Sequence, residues 1–144
     1  MLTYHVELTP DDNDTLLVTC PDLPEVTSFG EDEQDALGYA VGAIEEALAA
    51  RMAHKREIPL PTEDSPTRLH PVRLSTQTAL KVLLYEAMRR QGVTKAELAR
   101  RMGIARQHAD RLLDLNHASR LDALDAAFSA LGQAVAVAVR DRAA

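Results

Sequence analysis

At Glu31 the spacing of apolar residues changes from the alternation of a strand to the three-to-four spacing of a helix, and that switch restricts the chain to folds that combine a sheet with helices. Before it, LTYHVEL (Leu2 to Leu8) alternates as a half-buried strand does. The turn-forming run PDDND (Pro10 to Asp14) then separates it from a second strand, TLLVTC, so the two read as a hairpin. A third short strand is expected around Val26 to Phe29. Beyond the switch, Ala36, Leu37, Ala40, Val41, Ile44 and Leu48 recur at helical spacing, which predicts a helix to about Ala53. The acids Glu31, Asp32, Glu33 and Asp35 fall in its first turns, where the helix dipole favours negative charge.

The stretch EIPLPTEDSPTRLHP, with Pro59, Pro61, Pro66 and Pro71, has no periodicity and is read as an inter-domain connection lying within 57–71. VRLS, after Pro71, is expected as a last strand returning to the first sheet. From Thr76 a new helix places Leu80, Leu83, Leu84, Ala87 and Met88 on one face and stops at Gly92. The expected division is therefore 1–75 and 76–144. Each part is near the lower limit for burying a stable core unaided, which favours oligomers.

Charge divides at the same place. Residues 1–66 hold three Lys and Arg against fifteen Asp and Glu, a net −12, whereas residues 67–144 hold thirteen against seven, a net +6. An acidic chain should be repelled by a polyanion, but this second half alone should not.

Within it, VTKAELARRMGIARQHADRLL (Val93 to Leu113) reads as a helix-turn-helix. Thr94 and Glu97 have the spacing of a capping box. Gly103 supplies the tight turn, and a second helix is expected from about Ala105 to Leu115. Ala99 is small enough for the helices to approach, and Leu98, Ile104, Ala109 and Leu112 fall inward. Arg106, Gln107, Asp110 and Arg111 are left outward, and Arg and Gln are residue types that pair with guanine and adenine edges in the major groove. Lys95, Arg100 and Arg101 are candidates for the DNA backbone. So are Asn116, His117 and Ser119, in the polar loop before a closing helix over Leu121 to Leu131. The final QAVAVAVR (Gln133 to Arg140) alternates and is read either as an intersubunit strand or as a C-terminal helix.

Several classes of function find no support. There is no Trp for a base-stacking platform, and the five histidines show no ligand spacing. Glu7 and Glu45 are the one carboxylate pair suggestive of two-metal chemistry, and both lie among many surface acids. The lone Cys20 has no evident base partner and cannot close an intramolecular disulfide. No enzyme, cofactor or metal site is read from the sequence. The start of the chain is not that of a signal peptide and no apolar run is long enough to span a bilayer, so a cytoplasmic setting without membrane contact is expected.

Thr76 to Gly132 resembles the lambda-repressor-like helix-turn-helix family, with Ala109 where Val or Ile is more common and Ala105 where Ser or Thr often caps the second helix. The order of hairpin, CPDLPEVTSFGEDEQDALGYAVGAIEEAL, proline-rich connection and helix-turn-helix resembles, over nearly the whole chain, the HicB antitoxin family. PDLP followed by the T-x-x-G segment Thr27 to Gly30 carries the signature, with Glu25 where Gly is usual. That resemblance implies an α+β protein: a truncated RNase H-like β-β-β-α-β domain followed by an all-α DNA-binding domain. It further implies a type II antitoxin that masks a small basic mRNA-cleaving toxin, HicA, and represses its own operon. The acidic front is then expected to meet the toxin through Asp22, Glu25, Glu31, Asp32, Glu33 and Asp35, and paired half-sites on operator DNA favour a homodimer or higher oligomer. The alternatives are a stand-alone transcription regulator with a ligand-sensing front, and a nuclease guided by its helix-turn-helix.

Overall fold

The computed structural model describes residues 2–61 and 66–141. Strands β1 (Thr3–Pro10), β2 (Leu16–Cys20) and β3 (Leu23–Gly30) form an antiparallel meander, and a single 3-10 turn over Asp12–Asp14 closes the first hairpin. Helix α1 (Glu33–Ala53) then crosses one face, and β4 (His70–Arg73) pairs antiparallel with β1 on the far side. The order across the sheet is β3-β2-β1-β4. This is the β-β-β-α-β arrangement expected.

Alternation along the strands decides which face α1 covers. Tyr4, Val6, Val18, Leu23, Val26 and Val72 turn inward and are almost entirely buried against Ala36, Ala40, Ile44 and Leu48 of the helix. His5, Glu7, Thr19, Thr27 and Phe29 lie on the opposite face, where Phe29 stays half exposed. The T-x-x-G signature has its physical reason here. A Cβ on Gly30 would stand 2.2 Å from the Ala36 backbone nitrogen, so the chain can turn from β3 into α1 this tightly only with glycine.

β3 is longer than expected. It begins at Leu23 and takes in Pro24, which an edge strand tolerates because the outward side of its backbone needs no ladder donor. The proline-rich stretch also differs from expectation. It connects α1 to β4, both of which belong to the sheet layer, and its first residues are packed rather than free. Ile58 is buried, and the Tyr4 hydroxyl donates to the Pro59 carbonyl at 2.8 Å. Residues 62–65 of that stretch lie outside the described residues. Only Leu74 and Ser75 separate β4 from the next helix.

Helix α2 (Thr76–Gln91), capped by Ser75 and ended by Gly92, leads into α3 (Lys95–Met102), α4 (Arg106–Leu112) and α5 (Leu121–Ala130). α2 is buried on two sides. Towards the front, Thr78 donates to Glu45 of α1 at 3.5 Å, the Tyr85 hydroxyl donates to the Arg56 carbonyl at 2.6 Å, and Glu86 accepts from the Ile58 amide at 3.2 Å. Towards the back, Val82, Leu84 and Met88 join Leu98, Leu112, Leu124 and Phe128 in a core continuous with that of the sheet. The single apolar face expected for this helix is corrected accordingly: Leu83 is exposed and Leu80 half-buried, while Lys81 and Glu86 are buried.

Candidate nucleic-acid interface and acidic front

The helix-turn-helix is α3, the turn at Gly103 and α4. Gly103 ends α3 in the left-handed conformation, with φ of 67°, which turns the chain out of α3 toward α4. Leu98 and Ala109 are fully buried between the helices, Ala99 and Leu112 nearly so, and Ile104 is half-buried. The capping expectation is half met. Thr94 Oγ1 accepts from the Glu97 amide at 3.1 Å, but the Glu97 carboxylate, instead of returning to Thr94, takes Arg100 and Arg101. Those two guanidinium groups hold its pKa below the usual carboxylate range.

α4 begins at Arg106, where Ala105 offers no side-chain cap, and it ends at Leu112, three residues earlier than expected. The early end has a local cause. The carbonyls of Asp110, Arg111 and Asp114 are taken by amides three residues on, which tightens the chain out of the α-helix. The ammonium of Lys81 reaches in as well, donating to Arg111 O at 2.9 Å, Asp114 O at 2.7 Å and His117 O at 2.5 Å.

Arg106, Gln107, Asp110 and Arg111 all lie exposed on one side of α4. Arg106 and Arg111 form no ion pair among the described residues, whereas Asp110 faces Lys95 at 3.5 Å. Arg101 also donates to the Ala130 carbonyl at 3.3 Å. Lys95, Arg100 and Arg101 therefore meet solvent as members of ion pairs, and Arg106 and Arg111 as uncommitted cations. Asn116 and His117 are exposed on the loop after α4, and Ser119, half-buried, is held by the Gln77 side chain through its amide at 2.5 Å and its carbonyl at 3.1 Å. Sequence reasoning missed Gln77 and Lys81. The one available signal was their four-residue separation on a helix flanked by the apolar Ala79 and Val82.

The six acids expected to face a partner fall into two groups. Asp22 precedes β3, Glu25 lies within it and Glu31 follows it, so at the rise of an extended strand Asp22 and Glu25 stand about 30 and about 20 Å from Glu31. In the first group, Glu25 is bound bidentately by Arg51, at 2.5 and 2.9 Å, which holds its carboxyl below the usual range. In the second, Asp32 accepts from the Asp35 amide and Asp35 from the Glu31 amide, both at 2.8 Å, so a reciprocal cap starts α1. Glu33 lies 3.5 Å from His70. Asp32 and Asp35 also line an open depression with Gln34, Gly38 and the exposed Tyr39.

Glu7 pairs with Arg68 at 2.8 Å on the outer face of the sheet, whereas Glu45 belongs to α1 on the other, so the two carboxylates do not converge. Cys20 is buried, and burial pushes its thiol pKa up. No group of three potential metal ligands occurs among the described residues, and no helix among them is long and apolar enough to cross a membrane.

An acidic sheet layer with one crossing helix, joined to a helix-turn-helix, makes this an α+β protein whose sheet is followed by helices. Residues 3–83 match the family model described as the HicB-like antitoxin of bacterial toxin-antitoxin systems. The chain is 33% identical over 139 residues to an antitoxin HicB of Pseudomonas fluorescens, covering 96% of this chain and 94% of that one. To antitoxin HicB of Escherichia coli K12 it is 35% identical over 134 residues, or 92% and 95% of the two chains. Antitoxin HicB 1 of Photorhabdus laumondii is 30% identical over 138 residues, or 96% and 87%. The chain belongs to the HicB-like antitoxin family.

Proposed function

We propose that this antitoxin masks a small basic HicA-like mRNA-cleaving toxin with residues 1–75 and, through residues 76–144, binds operator DNA to repress its own operon. The observation that carries the reading is that the similarity to HicB antitoxins runs through both parts, across 96% of the chain. The net −12 of residues 1–66 suits a basic partner, for which exposed charge mainly speeds encounter. The uncommitted Arg106 and Arg111, beside Gln107 on the exposed side of α4, suit the major groove. The working state is a cytoplasmic homodimer or higher oligomer, because one short recognition helix reads few base pairs and two half-sites a helical turn apart suit a two-fold assembly.

The C-terminal segment Gln133 to Arg140 is neither helix nor strand within one chain, with Val135 half-buried and Val137 and Val139 exposed. We assign it to pairing between subunits. Co-expression with the product of the neighbouring gene, followed by mass measurement and titration with the DNA upstream of the operon, tests the whole reading. A stable complex that inhibits the toxin's RNA cleavage and binds that DNA is expected. A chain that protects no RNA and binds no upstream DNA would overturn it. Removing residues 134–144 should lower both dimer stability and operator affinity.

A further inference from the structure

Lys81 is fully buried, yet it carries a charge and no carboxylate bonds it directly. Its ammonium gives one hydrogen to each of three backbone carbonyls, those of Arg111, Asp114 and His117, which uses its whole donor capacity. One turn earlier on α2, Gln77 grips both the amide and the carbonyl of Ser119. Five hydrogen bonds from two side chains thus fix the backbone between the end of α4 and the start of α5.

An apolar residue would fill the same space without the cost of burying a charge. It would leave three carbonyls facing a side chain with nothing to donate. What lysine adds is therefore the path of this one segment, together with positive charge at the C-terminal end of α4, where the helix dipole and the negative ends of the carbonyls would otherwise repel a phosphate. The segment is also the one that exposes Asn116 and His117 beside the recognition helix.

We infer that Lys81 and Gln77 are positioning residues of the DNA interface: from α2 they set the α4–α5 segment in a phosphate-accepting geometry without touching DNA themselves. The inference rests on the DNA-binding reading above. The test uses the full chain with Lys81→Met and, because a buried substitution can unfold the protein, with Gln77→Ala at a half-buried site. Amide hydrogen exchange is measured alongside titration with the DNA upstream of the operon. Amides of residues 113–119 should exchange about tenfold faster or more, while those of β1 and β2 keep their protection. Affinity for the upstream DNA should fall about tenfold at an unchanged salt-dependence slope, because a residue that contacts no phosphate releases no counterion.

Unchanged exchange at 113–119 in both variants would overturn the inference, as would faster exchange with undiminished DNA affinity. A slope reduced by about one would also overturn it, since that marks Lys81 as a phosphate contact. If the unaltered chain binds no upstream DNA, the DNA reading itself has failed and the positioning role falls with it. That result is distinct from a clamp that fails in a chain that does bind.

Discussion

The sheet half and the helical half each hold an irregular segment against the core with polar side chains, and they differ in how the bonds are shared: several side chains form one each in front, and one lysine forms three behind. In front, the Tyr4 hydroxyl, whose pKa is raised by burial, donates once to Pro59 in the segment after α1. Behind, Lys81 donates three times to the segment after α4, and burial lowers its pKa. The difference follows from what each segment lacks. The stretch after α1 contains prolines and a buried Ile58, so apolar burial shares the holding with single contacts from several side chains: Tyr4 at Pro59, Tyr85 at Arg56, Arg51 at Glu57 and Glu86 at the Ile58 amide. The stretch after a short helix brings carbonyls together at its end, and a cationic donor is the side chain that satisfies several of them at once.

That contrast predicts where each half breaks. The largest effect should come from Gly30→Ala, which forces a side chain into the Ala36 backbone and should destabilise the fold by about 3 kcal/mol or more in chemical denaturation. A loss under about 1 kcal/mol would mean that β3 and α1 can separate without cost. Arg106→Ala should leave stability alone and cost roughly 1 to 3 kcal/mol on the operator, with little change on random DNA. Equal losses on both would reduce it to a phosphate contact.

Tyr4→Phe should cost about 1 kcal/mol of stability, the ordinary worth of one hydrogen bond. A much larger loss would put the neutral clamp on a par with the charged one. The smallest effect is expected from Glu25→Gln, at under about 1 kcal/mol, because the pair with Arg51 is partly solvated. The Glu25 pKa is lowered in the folded state, so its contribution is present at neutral pH and is lost as pH falls through the folded value. Denaturation curves of the variant and the unaltered chain should therefore converge in acid.

Much of the fold could be read from local pattern. The first hairpin, the end of α1 at Ala53 and the span of α2 from Thr76 to Gly92 all follow from period and stop signals, which neighbouring residues determine among themselves. What could not be read depended on distant partners. α2 contacts core on two sides, so no single stripe describes it: helical spacing puts Leu83 inward, where the fold exposes it, and carries no sign that Lys81 is buried. Glu97 has the spacing of a capping box, and only the folded chain shows Arg100 and Arg101 taking its carboxylate. The six front acids are close in sequence, but an extended strand carries them apart. In the recognition region the residue types and their exposure on α4 were legible; the pairing of Asp110 with Lys95, which sets Arg106 and Arg111 apart as the uncommitted cations, was not.

The shared position of α2 bears on how such a protein can be inherited. The family match itself continues to residue 83, midway along that helix. A recombination joining the front of one antitoxin to the helix-turn-helix of another at the short Leu74–Ser75 junction would separate Thr78 from its Glu45, Tyr85 from its Arg56 and Glu86 from its Ile58. Joining after Gly92 would instead keep those partners and part Gln77 and Lys81 from the segment they hold. Either crossover disrupts a set of matched contacts, so a functional hybrid needs parents that already agree along this helix. Lineages of this architecture should therefore exchange whole genes more readily than halves.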